Sequence, residues 1–283
     1  MNAPAAVDPL LIAVAPTGAR KGKADHARLP IAPHEIVSEA IACREAGAAM
    51  IHLHVRDRDG GHTLDAAAYR AAIDALEAAL GDALLVQMTT EAVGRYGAEQ
   101  QIAAVEALRP GAVSLAIREI VPDSAAEERA AAFFAWMAGE GVLPQIILYA
   151  PGEVAAYADL RQRGVIADRR HSLLLVLGRY AGERGAAPGE LVAFVGELAS
   201  RAVAVPWMAC AFGPREAACI AAAIALGGHA RVGFENNHHR PDGSVAPGNA
   251  DAVARAAAIA RGIARPLADR AGAEIVLAGG RDP

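Results

Sequence analysis

Residues 33–55, PHEIVSEAIACREAGAAMIHLHV, contain the unit from which the fold can be predicted. The stretch 33–46 is Ala-rich with apolar residues at helical spacing, and 48–55 is a short apolar run typical of a strand buried on both faces. The same alternation recurs along the chain. Further predicted strands lie near 10–16, 84–89, 112–117, 143–149, 172–177, 206–211 and 229–235, and further predicted helices cover 65–80, 98–108, 124–139, 152–163, 188–202, 214–226 and 247–263.

Eight strands that alternate with helices predict an α/β fold, and specifically a (β/α)₈ TIM barrel. A chain of 283 residues is a normal length for one such barrel. An open doubly wound sheet is disfavoured, because it would want a G-x-G-x-x-G turn after the first strand and residues 16–25, PTGARKGKAD, supply none. No linker or composition break divides the chain, so we expect residues 1–283 to form a single domain.

Composition narrows the class of partner. The net charge is −5, the pI is about 6.0 and aromatic residues make up only 4% of the chain, which argues against nucleic acid and anionic membranes as partners. No uninterrupted apolar run reaches about 18 residues, the length expected of a membrane-spanning helix. Three widely spaced cysteines form no CxxC motif and are typical of buried thiols in a reducing compartment. We therefore expect a cytoplasmic protein.

Polar residues cluster at the carboxyl-terminal ends of the predicted strands, where barrel enzymes place their active sites. The sharpest motif is His52-Leu53-His54, because residues two apart on a strand share a face and their imidazoles can converge on one ion. Two buried core histidines are the alternative, although they would need hydrogen-bond partners. Glu235, at the end of the eighth predicted strand and on the same parity as Arg231, is the candidate third ligand.

Two histidines and one carboxylate leave an open coordination position, which is typical of catalytic zinc. One zinc ion per chain is therefore the predicted cofactor. Iron(II) also favours this ligand set, so another divalent metal stays open.

Three runs carry a resemblance to a known family: APTGARKGKADHARLPIAPHEI (15–36), EAIACREAGAAMIHLHVRDRDGGHTLD (39–65) and GGHARVGFENN (227–237). The chain resembles the β-keto acid cleavage enzymes over nearly its whole length. The resemblance implies a (β/α)₈ barrel, usually a homotetramer, with zinc on His52, His54 and Glu235. It also implies a transferase reaction in which a β-keto acid and acetyl-CoA give acetoacetate and a new acyl-CoA. In that reaction Arg231 assists the metal, and the hydroxyls of Thr89, Thr90 and Ser114 bind the substrate carboxylate.

The sequence departs from the family pattern at three places. Asn236 stands where the family usually has an Asp beside the metal ligand, and an amide does not accept a proton at neutral pH. Ile147 stands where one family member has a Glu on the fifth strand. Glu91 replaces a Gly-Gly after the third strand, with one residue fewer, and is our candidate for the general base.

Two loops are expected to set specificity. Arg20 stands where a member that acts on an amino-bearing substrate has a Glu, so the resemblance implies an anionic or neutral polar tail here. The Gly-rich loop 178–189, GRYAGERGAAPG, contains Arg179 and Arg184 and is the candidate site for the CoA pyrophosphate.

Two rival functions remain open at this point. A metal-dependent hydrolase of the amidohydrolase type also has an HxH motif early in its barrel, but it requires further metal ligands after the fifth, sixth and eighth strands. A catalytically silent barrel that binds metal and a small acid is the second rival, and Asn236 motivates it.

Overall fold

Eight parallel β-strands close into a barrel in the computed structural model, which describes residues 8–166, 170–179 and 185–280. The predicted (β/α)₈ barrel is confirmed, because the first strand pairs with both the second and the last. The strands are β1 (Ile12–Val14), β2 (Met50–Leu53), β3 (Val55–Arg56), β4 (His62–Thr63), β5 (Leu85–Thr89), β6 (Ala112–Ala116), β7 (Leu143–Leu148), β8 (Ser172–Leu177), β9 (Trp207–Ala211) and β10 (His229–Val232). Strands β3 and β4 form a separate antiparallel hairpin that follows β2.

The α-helices follow the predicted positions closely. Pro33 occupies the first turn of the first helix, which ends at Gly47 in the left-handed conformation, and the side chain of Asp65 caps the second by accepting a hydrogen bond from the amide of Ala68. The helices are α1 (Pro33–Ala46), α2 (Ala66–Leu80), α3 (Ala98–Leu108), α4 (Ile117–Ile120), α5 (Glu127–Glu140), α6 (Glu153–Gln162), α7 (Pro188–Ser200), α8 (Glu216–Ala225), α9 (Asn249–Gly262) and α10 (Arg270–Leu277). None of them, within the described part of the chain, is long and apolar enough to cross a membrane.

Three local features differ from the sequence expectation. The fourth predicted helix, 124–139, begins with a 3₁₀ turn at Ser124–Ala126 before α5, because the carboxylate of Asp123 accepts hydrogen bonds from the amides at 125 and 126. The short helix α4 and the C-terminal helix α10 were not expected, and neither was the β3–β4 hairpin. The two strands of the hairpin have two residues each, and α4 and α10 span only one to two turns, too short to show a helical period.

The barrel interior changes from apolar to polar along its axis. Inward-facing side chains such as Met50 and Leu85 form an apolar layer at one end. The fully buried amides of Gln87 and Gln145 follow, and the next layer towards the carboxyl ends of the strands contains the imidazole of His52. This polarity places a buried hydrogen-bonding network beneath the candidate site.

The eighth barrel strand is shorter than predicted, and this corrects the parity argument for Glu235. Strand β10 ends at Val232, and the amides of Asn236 and Asn237 both donate to the carbonyl of Gly233. Gly233 has φ 133°, and a Cβ there would lie 2.6 Å from the carbonyl oxygen of Ala15. Glu235 therefore reaches the site from a tight turn that a side chain at residue 233 would not allow.

The turn after β10 is anchored by Asn249, the first residue of α9. Its side-chain Oδ1 accepts a 2.7 Å hydrogen bond from the amide of Phe234, and its Nδ2 donates to Glu39 Oε1 at 3.1 Å. Asn249 is completely buried, so both interactions are shielded from water.

We expect Asn249→Ala to lower the free energy of unfolding by about 2–3 kcal/mol, because it leaves the buried amide of Phe234 without a partner and removes one of the two hydrogen bonds that residue 249 donates to Glu39. Urea denaturation followed by circular dichroism measures the change. The exposed helix residue Gln162 is the control, and Gln162→Ala should stay within about 0.5 kcal/mol of the parent. Equal stabilities for the two variants would show that Asn249 does not hold the turn.

Candidate active site

Three predicted metal ligands, His52, His54 and Glu235, meet at the carboxyl end of the barrel. The two Nε2 atoms are 3.1 Å apart, and Oε2 of Glu235 lies 3.2 Å from Nε2 of His54 and 3.6 Å from Nε2 of His52. Ligand atoms on a tetrahedral ion with bonds of 2.0–2.1 Å are about 3.3 Å apart. The three donor atoms are therefore already at the spacing that one divalent metal requires.

The charge states of these groups also suit a metal. Burial, together with the nearby charge of Arg231, lowers the pKa of His52 to about 3, so its imidazole is neutral at physiological pH. Burial alone would raise the pKa of Glu235, but the guanidinium of Arg231 holds it well below its usual range. Metal ions bind neutral imidazole and ionised carboxylate, which are the forms of His52 and Glu235 here.

A chain of buried amides sets which nitrogen of His52 faces the site. Nδ1 of His52 lies 2.8 Å from Oε1 of Gln87, an acceptor, so Nδ1 carries the proton and Nε2 presents its lone pair. Nε2 of Gln87 donates to Oε1 of Gln145, and Nε2 of Gln145 donates to Ser172 Oγ and approaches Sδ of Met208. Because the thioether can only accept, the orientation of both amides is fixed.

Sequence reasoning missed the role of Gln87 and Gln145. The signal was present, since each is a lone amide inside an otherwise apolar strand, and Gln87 shares the parity of Thr89. What the sequence does not contain is the pairing of β2 with β5, which puts Gln87 directly opposite His52.

Arg231 orients the carboxylate ligand. Its NH2 group donates to Oε1 of Glu235 at 2.8 Å and to Sγ of Cys210 at 3.3 Å, and the residue is only 3% exposed. One oxygen of Glu235 thus pairs with the guanidinium while the other faces the two histidines. This arrangement fixes the rotation of the carboxylate as well as its charge.

The loop after β1 packs directly on the ligand turn. A Cβ at Gly18, which has φ +67°, would lie 2.7 Å from Cγ of Glu235, so only glycine allows this approach. Nζ of Lys21 donates to the carbonyl of Phe234 at 2.8 Å. The guanidinium of Arg56 donates to the carbonyl oxygens of Gly18 and Lys21, and so ties this loop to the β3–β4 hairpin. Lys21 is a further site residue that sequence reasoning did not single out.

The predicted carboxylate-binding hydroxyls occupy different positions. Thr89 lines the cavity above His52, and its Oγ1 accepts a hydrogen bond from the amide of Glu91. Thr90 donates its hydroxyl to the carbonyl of Ser114, so it supports the pairing of β5 with β6. Oγ of Ser114 is buried and has no hydrogen-bond partner among the described residues.

Asn236 lies outside the small space around the metal ligands. It is only 3% exposed, and neither atom of its amide has a hydrogen-bond partner in the described chain. The cavity above His52 is lined instead by Thr89, Glu91, Ile147, Tyr149, Val176, Arg179, Phe212, Arg231 and Glu235. Ile147 makes one wall of this cavity apolar.

Glu91 stands over this cavity in an ion-paired state. Its Oε1 lies 3.3 Å from NH2 of Arg179 and 3.9 Å from Nε of Arg20. Arg179 therefore points into the site, although the Gly-rich loop to which it belongs was predicted to hold CoA. The remainder of that prediction, Arg184 included, falls on residues 180–184, which lie outside the described residues.

We expect Gln87→Met to weaken metal binding by about 10- to 100-fold, the usual effect of removing a group that orients a metal-binding histidine. Gln87→Glu keeps an acceptor for Nδ1 of His52 and should retain most of the affinity. Competition with a chromogenic chelator measures both values, and thermal unfolding without metal checks that the fold is intact. A Gln87→Met variant that binds metal as tightly as the parent would refute this role.

Comparison with known proteins identifies the family. The family model described as beta-keto acid cleavage enzyme matches residues 9–278. The chain is 29% identical to the 3-keto-5-aminohexanoate cleavage enzyme of Acetoanaerobium sticklandii, over 96% of this chain and 98% of that protein. It is 28% identical to the 3-oxoadipate:acetyl-CoA acetyltransferase of Cupriavidus necator, over 95% of this chain and 94% of that protein.

A solved structure supports the fold. The apo structure of ObcA superposes with a TM-score of 0.70 at 18% identity, over 90% of this chain and 66% of that one, so this chain spans just under two thirds of its length. The likeness confirms the barrel. The match of the family model over nearly the whole chain establishes that the protein belongs to the beta-keto acid cleavage enzymes.

Proposed function

We propose that the protein transfers the acyl group of a β-keto acid to CoA, using acetyl-CoA and releasing acetoacetate. The observation that carries this proposal is the convergence of His52, His54 and Glu235 at metal-ligand spacing in a chain of this family. A hydrolase of the amidohydrolase type is disfavoured, because within the described ranges these three residues form the sole cluster of potential metal ligands.

His52, His54 and Glu235 would hold one divalent metal, which we propose is zinc. The bound metal supplies a Lewis acid that draws electron density from the β-keto carbonyl and so acidifies the neighbouring carbon. Nε2 of each histidine and Oε2 of Glu235 are the atoms that face it.

The remaining groups act on the substrate directly. We propose that Thr89, with Thr90 and Ser114 beside it, holds the substrate carboxylate, and that Glu91 takes a proton from the carbon between the two carbonyl groups. That carbon forms a bond to the acetyl carbonyl carbon, whose bond to the CoA sulfur breaks. The bond between that carbon and the β-keto carbonyl carbon then breaks, and the acyl group forms a thioester with the CoA sulfur. The proton returns to the carbon to give acetoacetate. Arg231 stays beside the developing charge. Asn236, which does not line the cavity above His52, cannot act as the base because an amide does not accept a proton at neutral pH.

Substrate charge, assembly and location extend the proposal. The names of the two relatives include one amino-bearing and one dicarboxylic substrate, so family membership leaves the charge of the tail open.

We propose a cytoplasmic homo-oligomer, and specifically a tetramer. Light scattering on the purified protein tests the assembly.

The direct test is turnover of a panel of β-keto acids with acetyl-CoA, with acetoacetate and the new acyl-CoA detected together by mass spectrometry. We expect both products in equal amounts. Metal binding without turnover of any member of the panel would favour a catalytically silent barrel instead.

We expect His52→Ala, His54→Ala and Glu235→Ala each to lose bound metal and activity while the barrel stays folded, because each removes one of three ligands. Elemental analysis of protein prepared without chelator should find one zinc per chain in the parent. His34→Ala, at an exposed position on α1, is the matched control and should keep its metal. A parent protein free of divalent transition metals would contradict the assignment.

We expect Glu91→Gln to lower kcat by about 100-fold or more, the usual scale for a general base. Asn236→Asp should then change kcat little or reduce it. Steady-state kinetics on the best substrate measures both. The reverse pattern, an unaffected Glu91→Gln and a faster Asn236→Asp, would transfer the role of base to position 236.

A further inference from the structure

We propose that Arg179, assisted by Arg20, binds a carboxylate at the far end of the substrate, and that this carboxylate displaces Glu91 from its ion pair. The substrate class would then be β-keto acids with a second, anionic end. This inference rests on the proposed function, since it concerns the tail of the same substrate.

The location of Arg179 is the first support. Two small cavities of about 20 and 30 Å³ lie above the metal ligands, and Arg179, Glu91, Phe212 and Glu235 line both. Ligand pockets commonly have volumes of about 300–1,000 Å³, so this space has to enlarge before a substrate can enter, and the ion pair between Glu91 and Arg179 borders both cavities. Whatever replaces Glu91 in that pair must itself be anionic if the guanidinium is to remain neutralised.

The second support is the imbalance of charge around these cavities. Four cationic side chains line them, namely Arg20, Lys21, Arg179 and Arg231, against the two carboxylates of Glu91 and Glu235. A bound divalent metal adds to the excess. An ammonium tail would be repelled by this surplus, and a neutral tail would gain no partner for the guanidiniums.

The surroundings of Arg179 also suit the binding of a carboxylate. Its guanidinium carbon lies 4.8 Å from the ring centroid of Phe212, a cation–π contact that holds the guanidinium beside the cavity. Its side chain is 24% exposed, so it is partly shielded from water yet open to the cavity. Arg20 is 58% exposed and 3.9 Å from Glu91, which makes it the weaker of the two contacts.

Glu91 can leave without disturbing the backbone. Its amide donates to Oγ1 of Thr89 at 3.1 Å, and its carbonyl accepts a hydrogen bond from Nε2 of His62 at 2.9 Å. Rotation of the side chain alone therefore releases the carboxylate from Arg179. The exchange would bind the tail and, in the same event, free Glu91 to accept the substrate proton.

The kinetic test compares three substrates of similar size: 3-oxoadipate, its neutral 6-amide and 3-keto-5-aminohexanoate. We expect kcat/KM to be highest for 3-oxoadipate and at least about 10-fold above that for the amide, the scale of a hydrogen-bonded charge pair. Arg179→Gln should lower kcat/KM for 3-oxoadipate by about 10- to 100-fold and leave the values for the other two substrates unchanged, which removes most of this preference. Arg179→Lys should restore part of it, since it keeps the charge and loses the planar fork. Arg129→Gln, on the outer face of α5, controls for loss of one positive charge.

A binding test works without turnover. Calorimetry should show that glutarate binds more tightly than pentanoate, which lacks the second carboxylate, and that Arg179→Gln removes the difference. Glu91→Gln should tighten glutarate binding even though it lowers kcat, because the guanidinium no longer has an internal partner. Preference for the amino-bearing substrate, or a glutarate-to-pentanoate ratio unchanged in Arg179→Gln, would overturn the inference. Failure to turn over any β-keto acid would refute the proposed function, and the glutarate result would still decide the role of Arg179.

Discussion

The contact between Arg231 and Glu235 is the interaction on which the candidate site depends. The two side chains are buried together, and the carboxylate keeps its charge because the guanidinium offsets the cost of desolvation. Removal of either partner would leave an uncompensated charge inside the barrel. The pair therefore serves the fold and the chemistry at once, since it holds one oxygen of Glu235 and leaves the other free to face the histidines.

The hydrogen-bonding network beneath the ligands imposes a second constraint. Buried polar groups stabilise a unique arrangement only when each finds a partner, and the series of hydrogen bonds from His52 through Gln87 and Gln145 to Ser172 meets that condition across the barrel strands β2, β5, β7 and β8. The same hydrogen bonds therefore fix the register of these strands and the nitrogen of His52 that presents its lone pair. A barrel with an apolar interior at this level would hold the imidazole in no particular orientation.

Much of this could be predicted from the sequence, because the relevant signals are local. The alternation of apolar runs with helical stretches gave the barrel, and the spacing of His52 and His54 placed two imidazoles on one face. The structure brings Glu235 to the two histidines as predicted, but strand parity was the wrong reason, since Glu235 lies in a turn that Gly233 makes possible. The contact of Glu91 with Arg179 joins residues 88 positions apart through two loops, and loop conformation leaves no periodic signal.

The residues that would hold the metal and those that would read the substrate tail belong to different parts of the fold. His52 is on β2 and His54 directly follows it, while Glu235 is on a turn anchored to α9 through Asn249. Arg20, Glu91 and Arg179, by contrast, follow strands in loops. Substitutions in those loops can accumulate at little cost to folding, whereas changes at the ligands or their anchors disturb the core. Descendants of such a chain can therefore exchange one acid for another by altering Arg20 and Arg179, and the inherited reaction survives each exchange as long as Glu91 is kept.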